Sequence, residues 1–356
     1  MTGVTPAPRR RSKVSRRTFI RGGLVLAGAG IVGARALRGD DVAWDEGAFA
    51  PPGNPSVAVV RASSYERDLE GLVQDGLEAV GVDPTGRAVV LKPNLVEYDS
   101  GASINTDPRL VGATVLAMRR MGARSVTVAE GPGHRRDTDY VVSASGLWDV
   151  LVDVEAPFVD LNVAPARPVD LKSSYMGLDQ LWLPDVLLDA DMVVSMPKMK
   201  AHHWVGVTLS MKNCFGCMPG RIYGWPKNVL HWKGIPQSIL DIVGAVQPSV
   251  VIIDGIVGME GDGPIKGTPI DAGHLVFGTD PVATDVVAAR VMGLDPERIE
   301  YLQEAGRYLG QAHWDEIEQV GEDPEATGLS FALIPEFAFL EYGSTAERGE
   351  MDSTGG

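Results

Sequence analysis

The chain has 356 residues, 44% hydrophobic and 22% charged, with a formal net charge of −15. Such an acidic chain repels phosphate backbones and anionic lipid, so nucleic-acid binding is disfavoured, and two cysteines are too few for a disulfide framework. The length supports one large domain or two lobes.

The first segment, "RRRSKVSRRTFIRGGLVLAGAGIVGARAL", has a basic start, then Ser15-Arg16-Arg17-Thr18-Phe19-Ile20, then a glycine-rich apolar run ending at Ala34-Arg35-Ala36. That order is the pattern of a twin-arginine export signal. Residues 1–36 are expected to engage the twin-arginine translocation machinery and be cleaved, leaving a periplasmic or extracellular protein. No stable membrane anchor is expected, because Arg35 and Arg38 close the apolar run short of the roughly 18 residues a span needs. The leader holds eight Lys/Arg and no Asp/Glu, which leaves 24 basic against 47 acidic residues, a formal charge of −23. The signal class is associated with proteins that fold, often around a cofactor, before export.

Residues 37–55 read as an acidic, Pro/Gly-punctuated linker, and order is expected from "SVAVVRA". A helix follows in "YERDLEGLVQDGLEAVG", with Leu69, Leu72, Val73 and Leu77 on one face, then strand "AVVLKPNL" and helix "DPRLVGATVLAMRRMG". Strand "SVTVAEG" leads to one helical stretch through "YVVSASGLWDVLVDV". Residues 157–187 read as irregular, and "ADMVVSMPK" restores a buried strand. Further on come helix "GIPQSILDIVGAV", strand "PSVVIIDGIVG", strand "AGHLVFGT" and helix "DPVATDVVAARVMG", whose Asp280-Pro281 start fits an N-cap. Strands alternating with helices predict an α/β fold: mainly parallel sheets with flanking helices, two lobes around a cleft within residues 56–343, and a disordered tail from 344.

Ligands of open α/β sheets sit beyond the carboxyl ends of strands, so Lys92, Glu130, His134, Lys198, Lys200 and Asp254, all at or just after strand ends, are candidates. The stretch "MKAHHWVGVTLSMKNCFGCMPGRIYGWPKNVLHW" adds His202, His203, Lys212, Cys214, Cys217 and His231. Adjacent histidines can ligate a metal, and Cys214 with Cys217, spaced C-x-x-C, admits a redox disulfide or half of a four-ligand metal site. The loop "DGIVGMEGDGPIKG" reads as site wall, being neither a P-loop nor a dinucleotide fingerprint.

The motifs "LKPN", "VVSMPKMKAHHWVGVTLSMKNCFGCMPG", "YGWPKNVLHWKGI", "DGIVGMEGDGPIKG" and "GTDPVATD", in that order, resemble the family named domain of unknown function 362 over residues 57–310. Some members are joined to ferredoxin-type modules, which implies iron–sulfur company. A more distant resemblance is to nickel-dependent lactate racemases: His202, Gly206 and Lys212 keep one spacing of that family, and Pro219 to His231 keeps another, with three extra residues between Lys212 and Pro219. "AEGPGHRR" is similar to a further racemase segment, with His134 one residue late. This resemblance implies that Lys212, beside Asn213, holds a nickel pincer nucleotide, that His231 ligates nickel, and that His202 and His134 are the acid/base pair. The expected site therefore comprises His134, His202 and Lys92 as catalytic groups, Lys212, Asn213, Lys198, Lys200 and Asp254 as cofactor contacts, and His231, Cys217 and Cys214 as metal ligands. The expected function is an exported cofactor- or metal-dependent enzyme, with racemase- or epimerase-like or redox chemistry, acting on a small anionic hydroxylated or carboxylated molecule. A non-catalytic exported protein that binds a metal, a cofactor or a small ligand is the alternative.

Overall fold

The computed structural model describes residues 42–50, 52–133, 137–225 and 227–346. The expected export signal, His134 and most of the tail lie outside the described residues. From Ala43 onward the described residues group as one compact unit, so the two lobes expected from length are not distinguished.

β-branched runs build the strands. β1 (Ser56–Arg61), β2 (Ala88–Pro93), β3 (Ser125–Glu130) and β4 (Phe158–Asp160) alternate with α1 (Leu69–Ala79), α2 (Pro108–Arg120), α3 (Thr138–Ala144) and α4 (Leu147–Asp153). Each of the first three helices starts where an aspartate accepts from a free backbone N–H: Asp68 from Gly71, Asp107 from Arg109 and Asp137 from Tyr140. The single helix expected over residues 140–154 is instead two, because Gly146 takes a left-handed φ of 78° between them. α1 turns Val73, Gly76 and Leu77 to the core, and Gly76 lets the Phe277 ring approach where a Cβ would collide with it.

The region expected to be irregular holds β4, a hairpin of β5 (Ala166–Asp170) and β6 (Gln180–Pro184), and the short α5 (Asp185–Leu188). Pro197 then divides the next apolar run into β7 (Met192–Met196) and β8 (Lys198–His202), followed by β9 (Gly206–Thr208). The chain continues through α6 (Ser210–Asn213), a 3-10 turn at Cys214–Cys217, α7 (Gly220–Tyr223), α8 (Asn228–Trp232), α9 (Ile235–Val246), β10 (Val250–Glu260), β11 (Thr268–Gly278), α10 (Pro281–Val291), α11 (Glu300–Ala305) and β12 (Glu318–Gly321).

Among the described residues one ten-stranded sheet has the path β12-β1-β11-β10-β7-β2-β3-β4, with β8 pairing β10 and β9. β10, β7, β2, β3 and β4 are parallel, whereas β11 is antiparallel to β1 and β10. The result is an α/β fold of mostly parallel strands with flanking helices. β7 is buried along its whole length, as expected where helices cover a parallel sheet. No helix of the described residues is long and apolar enough to cross a membrane. Part of the expected linker is anchored: Trp44 stacks on Tyr308 at 4.6 Å, and Phe49 meets the edge of the same ring.

Candidate functional site

Because β2, β3, β7 and β10 are parallel, their carboxyl ends open on one edge of the sheet. A cleft of about 700 Å³, its open mouth included, lies there. Asn94 and Leu95 after β2, Glu130 and Gly131 at the end of β3, and Lys200 and His202 of β8 form part of its wall. Thr208, Lys212, Asn213, Phe215, Lys227 and His231 complete it.

Beneath the cleft, Lys92 Nζ donates to Glu130 Oε2 at 2.6 Å and Asn213 Oδ1 at 3.1 Å, and both charged side chains are 1% exposed. Removing one partner of such a pair strands the other charge in the interior, a loss of about 3–5 kcal/mol. Gly216 faces this pair so closely that a Cβ would collide with both Glu130 Oε1 and Lys92 Nζ.

Three more lysines surround the cleft without a carboxylate of their own. Lys200 Nζ donates to Ile104 O at 2.8 Å, and Lys227 Nζ donates to Gly131 O at 2.7 Å and Phe215 O at 2.9 Å. Lys212 Nζ lies 4.0 Å from the centroid of the Phe215 ring. Burial disfavours each ammonium: Lys200 falls well below the usual lysine range, Lys227 to about 8, and Lys212, with Lys227 and Lys92 nearby, to about 7. Lys212 is positioned by α6, whose first N–H groups at Ser210 and Met211 donate to Asp285 at 2.7 and 3.0 Å. Burial pushes the Asp285 carboxyl up to about 7 against the pull of those hydrogen bonds.

The imidazoles carry their protons on different nitrogens. His202 Nδ1 accepts from Trp204 N at 3.0 Å, so its proton is on Nε2; burial, then Lys212, holds the ring neutral. His231 Nδ1 lies 3.1 Å from Lys227 O, a carbonyl that can only accept, so Nδ1 carries the proton and Nε2 keeps a lone pair. Burial also lowers His231. His203 turns away to Asp262, 2.9 Å distant, which settles which of the paired histidines faces inward.

The sequence-derived candidates thus divide. Lys200, His202, Lys212, Asn213 and His231 line the cleft, Lys92 lies under it, and His134 is outside the described residues, next in sequence to the lining residue Gly133. Lys198 and Asp254 pair with each other at 2.7 Å, and Tyr65 OH donates to Asp254 at 2.7 Å while accepting from Lys198 at 2.8 Å. That trio joins β8 and β10 to the segment after β1 and does not line the cleft. Cys214 and Cys217 are free, fully buried thiols and are not among its lining residues. Their mutual hydrogen bond, with burial, raises Cys214; burial pushes Cys217 up, but the Cys214 bond and nearby Lys92 outweigh it and lower it. Lys227, Asn94, Thr208 and Trp204 are additional lining residues. "WPKN" held a signal for Lys227, a lysine in a tight apolar turn, which here takes a left-handed φ of 67°.

The two expected metallocofactors fare differently: a metal held by protein donors alone finds no site, whereas Lys212 and His231, the pair expected to hold a nickel pincer nucleotide, line the same cleft. Among the described residues no three His, Cys, Asp or Glu side chains converge to hold an ion, an iron–sulfur cluster would find only two thiols, and nickel only the His231 nitrogen.

A family model described as "Domain of unknown function (DUF362)" matches residues 89–290, more than half of the chain. The chain belongs to the DUF362 family. That span runs from β2 to α10 and contains every lining residue of the cleft. The thylakoid-associated protein sll1697 of Synechocystis sp. is similar to this DUF362 chain, with 28% identity over 293 residues, 78% of this chain and 83% of that protein. Among solved structures, the lactate racemase apoprotein from Thermoanaerobacterium thermosaccharolyticum is similar at 12% identity and a TM-score of 0.40, covering 61% of this chain and 54% of its own. A crystal structure from Thermotoga maritima is similar at 10% identity and a TM-score of 0.35, covering 62% and 57%. The chain spans little more than half the length of either solved structure, a likeness too slight to bear on chemistry.

Proposed function

We propose that the cleft is the active site of an enzyme acting on a small anionic molecule. One observation carries the reading: Lys200, Lys212, Lys227, His202 and His231 face one cleft whose lining carboxylate, Glu130, is already engaged by Lys92. A chain with a net charge of −15 has no structural need to gather basic groups in its interior, where each costs desolvation, unless a ligand's negative charge offsets them. Lys200 and Lys227 would hold a carboxylate or phosphate. The reacting part would face Lys212, an amine partly neutral near pH 7, with His231 Nε2 as proton acceptor and His202 Nε2–H as donor. The twin-arginine leader is proposed to deliver this enzyme across the membrane, which the compartment and mass of the mature chain in its host would test.

Calorimetric titration with small dicarboxylates and phosphate at pH 6 and pH 9 tests the site. Lys212 and Lys227 lose charge between these values, so binding is expected to weaken by about tenfold or more at pH 9, and Lys227→Met to weaken it at pH 6. Affinity indifferent to both pH and this substitution would remove the reading.

A further inference from the structure

The lysines around the cleft differ in what they hold. Lys92, Lys200 and Lys227 each donate to protein oxygen, whereas among the described residues no oxygen accepts from Lys212, whose nitrogen sits over an apolar ring and faces the cavity. Lys212 is only partly buried, so its amine stays open to the cavity and to whatever enters it. The same wall carries two further polar atoms without partners: Asn94 Oδ1 and Thr208 Oγ1 are buried, and their residues are 7% and 4% exposed. Unmet amine, amide and hydroxyl groups converging on one cleft describe a place built to meet a ligand's polar atoms.

We propose that Lys212 is a nucleophile that condenses with the carbonyl of a small anionic ketone or aldehyde, a 2-oxo acid being the simplest member of that class. This rests on the reading of the cleft as an anion site. The Nζ lone pair attacks the carbonyl carbon, and the C=O π electrons move to oxygen, which takes a proton from the attacking nitrogen, whose second proton leaves with that oxygen in the next step. The resulting carbinolamine expels that oxygen as water, leaving a carbon–nitrogen double bond; one water is released and nothing is oxidised or reduced. Lys200 and Lys227 hold the anionic end, and Asn94 and Thr208 are placed to meet the ligand's remaining polar atoms. Burial and the neighbouring ammonium groups keep part of the Lys212 amine unprotonated at neutral pH, which attack requires.

Reductive trapping decides it. The full chain is incubated with glyoxylate or pyruvate and cyanoborohydride, and adducts are mapped by peptide mass spectrometry. Labelling of Lys212 about tenfold or more above that of exposed Lys172, Lys233 and Lys266 is expected, with malonate protecting it. Mapping is done on the wild-type protein, so the result does not depend on a variant's folding; Lys212→Arg should abolish the adduct, and Lys233→Arg should leave it. Adducts spread evenly over exposed lysines, or persisting in Lys212→Arg, would overturn the proposal. If malonate binds by calorimetry but no Lys212 adduct forms, the nucleophile is wrong and the anion site stands; if malonate does not bind either, the reading of the cleft falls with it.

Discussion

Lys212 is where the fold accepts a cost for the site. Its amine lies far below the usual 10.5, at about 7, because burial and the charges of Lys227 and Lys92 oppose protonation. Between these two values the unfolded chain binds a proton that the native state does not, so this group's contribution to stability is present above 10.5 and is lost as pH falls through 7. Lys212→Met removes that linkage. The variant is expected to gain about 2 kcal/mol relative to wild type between pH 9.5 and pH 6.5, while losing anion binding. Urea denaturation at the two pH values measures it, and a stability difference independent of pH would mean that Lys212 titrates normally.

The elements that carry the site are short and held from outside. α6 spans four residues, too few to stand by local propensity, and its N-terminus depends on a carboxylate from α10. Asp285→Ala would leave the Ser210 and Met211 N–H groups without an acceptor, a loss of about 2 kcal/mol. Faster amide exchange at those two residues is expected, together with weaker anion binding, although residue 285 does not line the cleft. Unchanged exchange would show that α6 is held by packing alone.

What the sequence made legible follows the same division. Strands of valine and isoleucine, and the helix opened by Asp280, announce themselves through local patterns, and strand ends pointed to Lys200 and Glu130. Lys227 owes its place to a left-handed backbone and three distant carbonyls, and β5 of the β5–β6 hairpin has a proline and three exposed residues in place of an alternating pattern. Lys198 and Asp254 stand among the expected site residues because paired charges and ligand-seeking charges look alike until the partner is seen. Cys214 and Cys217 share that fate, since spacing alone does not reveal that both are fully buried and do not line the cleft.

At the scale of the whole molecule, an acidic chain and a basic cleft pull a small anion in opposite directions, and ionic strength separates them. The chain carries a net charge of −15, whereas Lys227, whose ammonium persists to about pH 8, is 2% exposed. Charges farther apart than the Debye length, about 30 Å at 0.01 M and about 8 Å at 0.15 M, are largely screened, but buried charges are screened much less. Raising salt across that range should therefore quench the repulsion from the acidic surface before it weakens the attraction inside the cleft. Affinity for a small dicarboxylate is expected to hold or rise between 0.01 and 0.15 M, the range over which the Debye length falls by about 20 Å. The salt anion should be a bulky sulfonate, so that chloride does not compete for the lysines. A fall of about tenfold would instead match an exposed basic patch, whose attraction salt screens directly, and would move the binding site out of the cleft.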